Sequence, residues 1–326
     1  MALITRRAWL AGAAASGLLV ACGGNASGRS EGAAPSGRKR VRLTHGIVSL
    51  PKTRGVFASS LAAQGVDVEW LGPFPNHAPT LQAVATGSAD FSFGGSSTPA
   101  MQAILSGSKL SIAAWSTTTP RTASIIVSPK SGIQSVRDLV GKTVAVNKAG
   151  LGEFLLIAAL EKYGVPRDQV SVSYLNPPDA APAFASGKVD AWSIWTGPLE
   201  LAEVQYSAQR IFEDGRELAH QIDYRTYVVR EDYAKAEPDV IRKVVAAFRA
   251  DTEWENTHYA EAQKLAYADA KYPQAVVDKI ASREVTYDWK LVDDTGISEL
   301  QRAADWLTAH KVLSNRIDIA QHVVRL

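Results

Sequence analysis

Cysteine is nearly absent from this sequence, and its scarcity excludes several kinds of chemistry. Cys22 is the single cysteine among 326 residues, so two cysteines of the chain cannot form a disulfide. The six histidines are scattered, and no two have the spacing of metal ligands on a helix or turn. The Gly-x-Ser-x-Gly and P-loop patterns are also missing. We therefore expect no metal site, no cofactor and no catalytic residues.

An excess of one charge is also absent. The chain has 35 Lys and Arg residues against 33 Asp and Glu, a formal net charge of +2. This balance gives no reason to expect nucleic acid as a partner. After the N-terminal region, no apolar run is long enough to span a membrane. A length of 326 residues with 46% hydrophobic content is sufficient for a globular protein of two lobes.

The first 21 residues have the pattern of an export signal. Arg6 and Arg7 precede a short apolar stretch from Ala8 to Ala21, and their surroundings look like a twin-arginine signal, with Trp9 where phenylalanine is more usual. The run that ends in Cys22 resembles a bacterial lipobox, whose cysteine is lipidated and becomes the first residue of the mature chain. The alternative, a buried core thiol, is disfavoured by the Gly/Ser/Ala tract that follows. This predicts a signal peptide over residues 1–21, which directs export of the protein by a Tat-like or Sec route.

Residues 22–40 are rich in Gly, Ser and Ala and lack an apolar period, which is typical of a flexible tether. The folded body is therefore predicted to begin near Val41. We expect it to be held by lipid at the outer face of the cell membrane, which it does not cross.

Strands and helices alternate along the folded body. The first half predicts strands at 41–47, 66–71 and 90–93 and helices at 49–64, 79–86 and 100–106. The second half predicts strands at 144–147, 170–175 and 191–194 and helices at 154–163 and 180–186. Such alternation is typical of an α/β protein with parallel strands.

An internal echo supports two similar lobes. The pattern Ala-x-Ala-x-Gly-x-x-Asp occurs at 83–90 and again at 183–190. Further β-like runs at 110–116, 124–127 and 224–229 predict strands that cross between the lobes. We therefore expect lobe 1 to comprise residues 41–120 and 225–326, with C-terminal helices at 240–254, 260–272, 274–282 and 295–310, and lobe 2 to comprise 121–224.

The turn Gly94-Gly95-Ser96-Ser97-Thr98-Pro99 carries the first candidate binding site. Thr98 is a good helix N-cap, and Pro99 fits the first helical position. The glycines allow a sharp turn and the close approach of a ligand. Free N–H groups and hydroxyls at the positive end of a helix form an anion site. An ordinary capped helix is the alternative.

Three segments resemble a known family: Asn176-Pro177-Pro178-Asp179-Ala180, the run from Phe184 to Trp195 with its Asp-Ala-Trp-x-Ile-Trp ending, and Gly95-Ser96-Ser97-x-Pro99. They are similar to the type II periplasmic solute-binding proteins of ABC importers, and most closely to the aliphatic sulfonate and taurine branch of the nitrate/taurine/sulfonate superfamily. The resemblance spans about residues 41–326. It implies a lipoprotein that captures an organosulfonate and is not an enzyme.

The resemblance also implies site residues. From lobe 1, Ser96, Ser97 and Thr98 bind the anionic head group. From lobe 2, the turn with Gly150, Leu151 and Gly152 faces them, offering mainly backbone N–H donors because it lacks the usual hydroxyl residues. The wall for an organic tail is formed by Trp192 and Trp195.

Two of these assignments leave alternatives open, as do two further candidates. A core role for at least one of the two tryptophans is the alternative, and Trp195 is favoured for the wall because it lies nearer the carboxyl end of its strand. Arg121 could contact a sulfonate or be a solvated arginine. Tyr227 borders the cleft or belongs to the core. Glu153, at a helix start, is expected to be structural, and Thr196 is expected to cap the next helix.

Alternative functions remain open as well. The anion could be nitrate or bicarbonate, and an enzyme on the same fold, such as a desulfinase or a thiamine-precursor synthase, would need a reactive thiol or clustered His and Lys in the cleft. A sensor partner of a membrane kinase is a third possibility. Otherwise the expected partners are a small anion and the permease and ATPase subunits of an importer, with the binding protein itself a monomer.

Overall fold

Strands and helices alternate as the residue pattern predicts. A computed structural model of the chain describes residues 37–326. The strands are β1 (Lys39–Gly46), β2 (Val66–Phe74), β3 (Gly95–Ser96), β4 (Leu110–Thr119), β5 (Ser124–Val127), β6 (Thr143–Val146), β7 (Ser171–Tyr174), β8 (Ala191–Ile194), β9 (Gln209–Glu213), β10 (Arg225–Arg230) and β11 (Thr286–Leu291). The helices are α1 (Leu50–Arg54), α2 (Val56–Ala63), α3 (His77–Ala85), α4 (Ser97–Leu105), α5 (Leu151–Lys162), α6 (Pro177–Ala185), α7 (Pro198–Tyr206), α8 (Asp214–Glu217), α9 (Glu231–Ala236), α10 (Pro238–Thr257), α11 (Tyr259–Ala266), α12 (Gln274–Ala281) and α13 (Asp294–Ala309).

The first sheet combines parallel and antiparallel strands. β1 pairs with β2 in parallel. Phe91 bridges β1 and β10, and β10 then pairs antiparallel with β4, which pairs antiparallel with β11. The short β3 lies beside the start of β10. The predicted strand at 90–93 is thus reduced to a single bridging residue.

The second sheet has the order β7-β6-β8-β5-β9. β6 is parallel to both β7 and β8, whereas β5 is antiparallel to β8 and β9. Residues 120–123 and 214–224 link this sheet to the first one. These links adjoin the lobe boundaries that the sequence predicts.

Apolar side chains form buried clusters on both sheets. Phe57, Phe91 and Phe248 form one buried cluster on the first sheet, which places α10 against α2 and β1. On the second sheet, Leu155 and Phe212 lie in a buried cluster with residues of β5 and β6. Helix α10 thus packs on the first sheet, and Leu300 and Leu307 of α13 lie in a buried cluster with Ile112 of β4. The predicted lobe bounds stay a prediction.

The sequence echo at 83–90 and 183–190 is also an echo of hydrogen bonds. The carboxylate of Asp90 accepts from the backbone N–H of Arg42 at 2.9 Å, and that of Asp190 accepts from Thr143 at 2.8 Å. Each Asp thus fastens the segment after a helix to the neighbouring parallel strand.

Some predicted boundaries are wrong. The helix expected at 49–64 is broken at Gly55, whose φ of 75° ends α1 and begins α2. Helix α4 begins at Ser97, so Thr98 lies inside the helix and is not its N-cap. The strands β9 and β11 and the helices α8 and α9 were not predicted.

The expected signal peptide at residues 1–21, the lipidation of Cys22 and nearly all of the tether lie outside the described residues. Residues Arg38–Leu326 form one compact unit. Within 37–326, none of the helices combines the length and the apolarity that crossing a membrane requires.

Candidate functional site

A cavity of about 860 Å³ lies between residues of the two sheets. Gly46 at the end of β1, Phe74 at the end of β2 and Phe93 after the Phe91 bridge line it from the first sheet. Asn147 after β6 and Trp195 after β8 line it from the second. The carboxyl ends of the parallel strands of both sheets therefore meet at the cavity, where α/β proteins bind ligands.

Only some of the predicted site residues line this cavity. The predicted residues that line it are Ser96, Arg121, Leu151, Trp192, Trp195 and Tyr227. The other predicted residues, Ser97, Thr98, Gly150 and Gly152, are buried and are not part of its lining. Their individual ligand contacts stay predictions.

The start of α4 is occupied by a carboxylate of the protein itself. Oδ1 of Asp223 accepts hydrogen bonds from the hydroxyls of Ser96 at 2.7 Å, Ser97 at 3.1 Å and Thr98 at 3.1 Å, and from the amide of Thr98 at 3.2 Å. The amide of Ser97 donates to the carbonyl of Tyr224 at 2.8 Å. The three hydroxyls and the amides of Ser97 and Thr98 thus have acceptors within the protein. Burial raises the pKa of Asp223, and the hydrogen bonds from the three side chains oppose that shift.

The two glycines of this turn make room for protein side chains. A Cβ at Gly94 would lie 2.7 Å from Cδ of Arg225 and 2.7 Å from Cζ of Tyr227. A Cβ at Gly95 would lie 2.7 Å from Cβ of His77. Neither glycine has a positive φ, so what requires them is close packing and not turn strain. We expected these glycines to allow the close approach of a ligand, but the structure shows them in close contact with protein side chains.

His77 fixes the position of the turn. Its Nδ1 lies 2.8 Å from the carbonyl oxygen of Ser96, and its Nε2 lies 3.1 Å from Oγ of Ser92. Because a carbonyl oxygen only accepts, the Nδ1–H donates to Ser96, and Nε2 of the neutral ring accepts from the hydroxyl of Ser92, whose Oγ in turn accepts from the amide of Val228. Burial lowers the pKa of His77 to about 4, and the bond to Ser96 opposes that shift. The imidazole is therefore neutral at physiological pH.

The second-lobe turn is built around Asn147. Its Oδ1 accepts from the amide of Gly152 at 2.9 Å, and a Cβ at Gly152 would lie 2.8 Å from the same oxygen. Among residues 37–326, the amide of Leu151 has no recorded protein acceptor. The start of α5 therefore has a donor available beside the cavity. Glu153 is bound by Tyr174 at 2.8 Å and Arg167 at 3.1 Å, in line with its expected structural role.

Aromatic side chains cover part of the wall. Trp192 is 1% exposed and packs against Phe184, with ring centroids 6.1 Å apart, whereas Trp195 is only partly buried. Tyr227 is 3% exposed and packs between Phe248 and Trp289. Trp195 is thus the more accessible of the two tryptophans.

Thr196 is not the helix cap that we expected. Its hydroxyl lies 2.6 Å from that of Thr122, on the link between the sheets, while Gly197 precedes α7 and its amide donates to Glu200 at 2.6 Å. Thr122 and Thr196 both line the cavity.

Arg121 is held by the return link. Its guanidinium donates to the carbonyls of Asp214 at 3.0 Å and Leu218 at 2.5 Å, and its Nε lies 3.6 Å from the Asp214 carboxylate. Burial raises the pKa of Asp214 to about 7, although the charge of Arg121 opposes that shift. Arg121 therefore joins residues 120–123 to residues 214–224.

Arg225 and Glu255 also line the cavity and were missed by the sequence analysis. The guanidinium of Arg225 lies 4.2 Å from the centroid of the Tyr287 ring. Glu255 accepts from Gln263 at 2.9 Å. Arg225 opens the strand predicted to return to lobe 1, a local signal that could have marked it. Glu255 lies on the long amphipathic helix α10. Nothing in the sequence apart from its position along that helix distinguishes it from carboxylates that face solvent. Within 37–326 no group of metal-ligating side chains is recorded.

Comparisons with known proteins agree with this architecture. The profile of a family described as NMT1/THI5 like matches residues 51–262. A Bacillus subtilis (strain 168) protein named for binding aliphatic sulfonates is 28% identical over 303 residues, covering 93% of this chain and 90% of that protein.

Solved structures show the same fold. The alkanesulfonate-binding protein SsuA from Xanthomonas axonopodis pv. citri, bound to MOPS, has a TM-score of 0.79 and 25% identity, over 88% of this chain and 98% of that one. The desulfurization enzyme DSZB has a TM-score of 0.63 at 16% identity, over 88% and 96% of the two chains, and shares the fold alone. The predicted fold, a type II periplasmic binding protein with two α/β lobes joined by crossover strands, is confirmed.

Proposed function

Since this chain belongs to the NMT1/THI5-like family, we propose that it is a solute-binding protein that captures an organosulfonate-type anion between its lobes. It would deliver that anion to the permease and ATPase subunits of an ABC importer. The relatives named for binding sulfonates support this class of ligand.

The observation that carries the proposal is the composition of the cavity wall. Both sheets contribute to one space of about 860 Å³, which suits a small organic molecule. Its wall combines the cation of Arg225, the free amide of Leu151 and the aromatic surface of Trp195. A sulfonate needs a cation and N–H donors, and its organic tail needs an apolar wall. Bare nitrate would leave the aromatic wall unused.

We also propose that the protein binds its ligand without transforming it. The DSZB likeness concerns the fold alone. A desulfinase using a cysteine nucleophile would need that thiol in the cavity, and the single cysteine of this chain is Cys22, which precedes the folded unit.

The location follows from the sequence pattern and the relatives. We propose that residues 1–21 are removed as a signal peptide and that Cys22 is lipidated. Residues 22–40 would then tether a monomeric body at the outer face of the cell membrane. Labelling cells with a radioactive or clickable fatty acid tests this: wild-type protein should be labelled and Cys22→Ser should not.

Calorimetric titration of the purified protein tests the ligand class. The panel contains 1-propanesulfonate, taurine, benzenesulfonate, sulfate, nitrate and bicarbonate. We expect organosulfonates to bind and to raise the melting temperature. Binding of nitrate or bicarbonate alone would exclude the sulfonate assignment and keep the solute-binding one. Cleavage of a sulfinate with release of sulfite would show an enzyme instead.

A further inference from the structure

We propose that the anionic head group of the ligand is bound by the guanidinium of Arg225, and that Asp223 keeps the start of α4 closed to it. This inference rests on the proposed function and identifies where in the cavity the negative charge of the ligand binds. It also reassigns the predicted role of Ser96, Ser97 and Thr98, which would hold a protein carboxylate and not the ligand.

The start of α4 has no donor left for a ligand. One oxygen of Asp223 accepts all three hydroxyls and the Thr98 amide, while Tyr224 accepts the Ser97 amide. The next residue, Pro99, has no N–H. A second anion here would lie against the Asp223 carboxylate in a partly buried setting, which repels it.

Arg225 is the cavity arginine whose charge is not already paired. Of the two arginines in the lining, Arg121 donates to two carbonyls and lies 3.6 Å from Asp214. No carboxylate oxygen of residues 37–326 is recorded within 4.0 Å of the Arg225 guanidinium. A partly buried cation that faces a cavity and has no carboxylate in direct contact is favourable to an incoming anion.

The position of the Arg225 guanidinium is fixed by its surroundings. Tyr287 lies beneath it at 4.2 Å, and the side-chain stem passes over Gly94, where a Cβ would lie 2.7 Å from Cδ of Arg225. Such fixation lowers the entropy lost when a ligand binds. A planar guanidinium with parallel N–H donors matches two oxygens of a sulfonate.

The neighbouring carboxylates set the charge that can be accepted. Asp223 precedes Arg225 by two residues, and both line the cavity. Glu255 lines the same space. Two carboxylates beside one cation repel a dianion more strongly than a monoanion. We therefore expect sulfonates to bind at least about 10-fold more tightly than sulfate.

Calorimetry with 1-propanesulfonate tests the assignment on the purified protein and three variants. Arg225→Gln should weaken binding about 30-fold or more, and Arg225→Lys should weaken it less, because the lysine keeps the charge but loses the two-pronged contact. Ser97→Ala should change the affinity less than about threefold, since this hydroxyl binds Asp223. Melting curves confirm that each variant is folded.

Glu255→Gln gives an independent measurement if Arg225→Gln does not fold. Removing this carboxylate should tighten 1-propanesulfonate binding about 3-fold or more if the anion lies at Arg225. Weak binding by Ser97→Ala with normal binding by Arg225→Gln, or unaltered affinity in Glu255→Gln, would overturn the inference. A wild-type protein that binds no sulfonate would instead refute the proposed function.

Discussion

Asn76 and Asn176 share a hydrogen bond, although they lie 100 residues apart in the sequence. Nδ2 of Asn76 donates to Oδ1 of Asn176 at 2.7 Å. Each residue immediately precedes a helix, α3 and α6, that leads into one copy of the sequence echo. Equivalent points of the two lobes therefore touch each other.

This contact predicts a difference between two alanine variants. Asn176→Ala removes only the bond between the lobes, because its side chain makes no cap bond, and should weaken sulfonate binding about 2- to 10-fold. Asn76→Ala also loses the cap to the amide of Ala78, and should additionally lower the free energy of unfolding by about 1 kcal/mol. Titration calorimetry and urea unfolding separate the two effects. Equal unfolding curves for both variants would contradict the cap.

The same pair shows what the sequence can predict. Periodicity, Gly caps and the repeated Asp placed both α/β units and their strands, because these are local signals. They could not show that α4 is closed by Asp223, because that carboxylate is 125 residues from Thr98 and reaches it only in the folded chain. Thr98 has the local signature of a cap, and tertiary contact overrode it.

Site prediction was limited for a related reason. Sequence motifs select residues next to a turn, whereas a cavity wall collects residues from distant segments. Trp195 and Leu151, which the family resemblance supplied, both line the cavity, and the strand end before Trp195 favoured it over Trp192. Arg225 was missed although it begins the return strand, because Tyr287, which lies beneath its guanidinium, is on β11, a strand hidden in a region of predicted helices.

His77 predicts an acid-dependent loss of stability. Its pKa is about 4 in the folded chain and about 6.5 in the unfolded chain, so the unfolded state binds more protons between these values. The contribution of neutral His77 is complete above pH 6.5 and is lost as the pH falls to 4, about 3 kcal/mol in all.

The measurement is urea unfolding from pH 4 to 8 for wild type and His77→Gln. The variant lacks the titrating group, so its unfolding free energy should fall less on acidification. Parallel curves for the two proteins across this range would show that His77 is not buried and neutral.

The raised pKa of Asp214 predicts a loss of stability as the pH rises, which is opposite to the effect of His77. Its pKa is raised to about 7 from an unfolded value near 3.8, so the folded state binds more protons between these values. The stabilising contribution of protonated Asp214 is complete below pH 3.8 and is lost as the pH rises through 7. Relative to Asp214→Asn, wild type should therefore lose on the order of 2 kcal/mol between pH 5 and 8. Unfolding measured at both pH values checks this, and a constant difference would mean that Arg121 keeps Asp214 ionised throughout.

Asp223 predicts rescue of a variant by a free anion. Asp223→Ala leaves four donor groups at the start of α4 without their acceptor, and should lower the free energy of unfolding by about 2–4 kcal/mol. Sulfate added at tens of millimolar should then occupy the helix start and restore part of the loss, because tetrahedral oxygens can accept the same hydrogen bonds. Asp223→Asn is the matched control, since its amide oxygen still accepts and leaves less room for the ion. The test compares the rise in melting temperature with sulfate against the rise with chloride at equal ionic strength. If sulfate raises the melting temperatures of wild type, Asp223→Ala and Asp223→Asn by the same amount, Asp223 does not occupy the anion position.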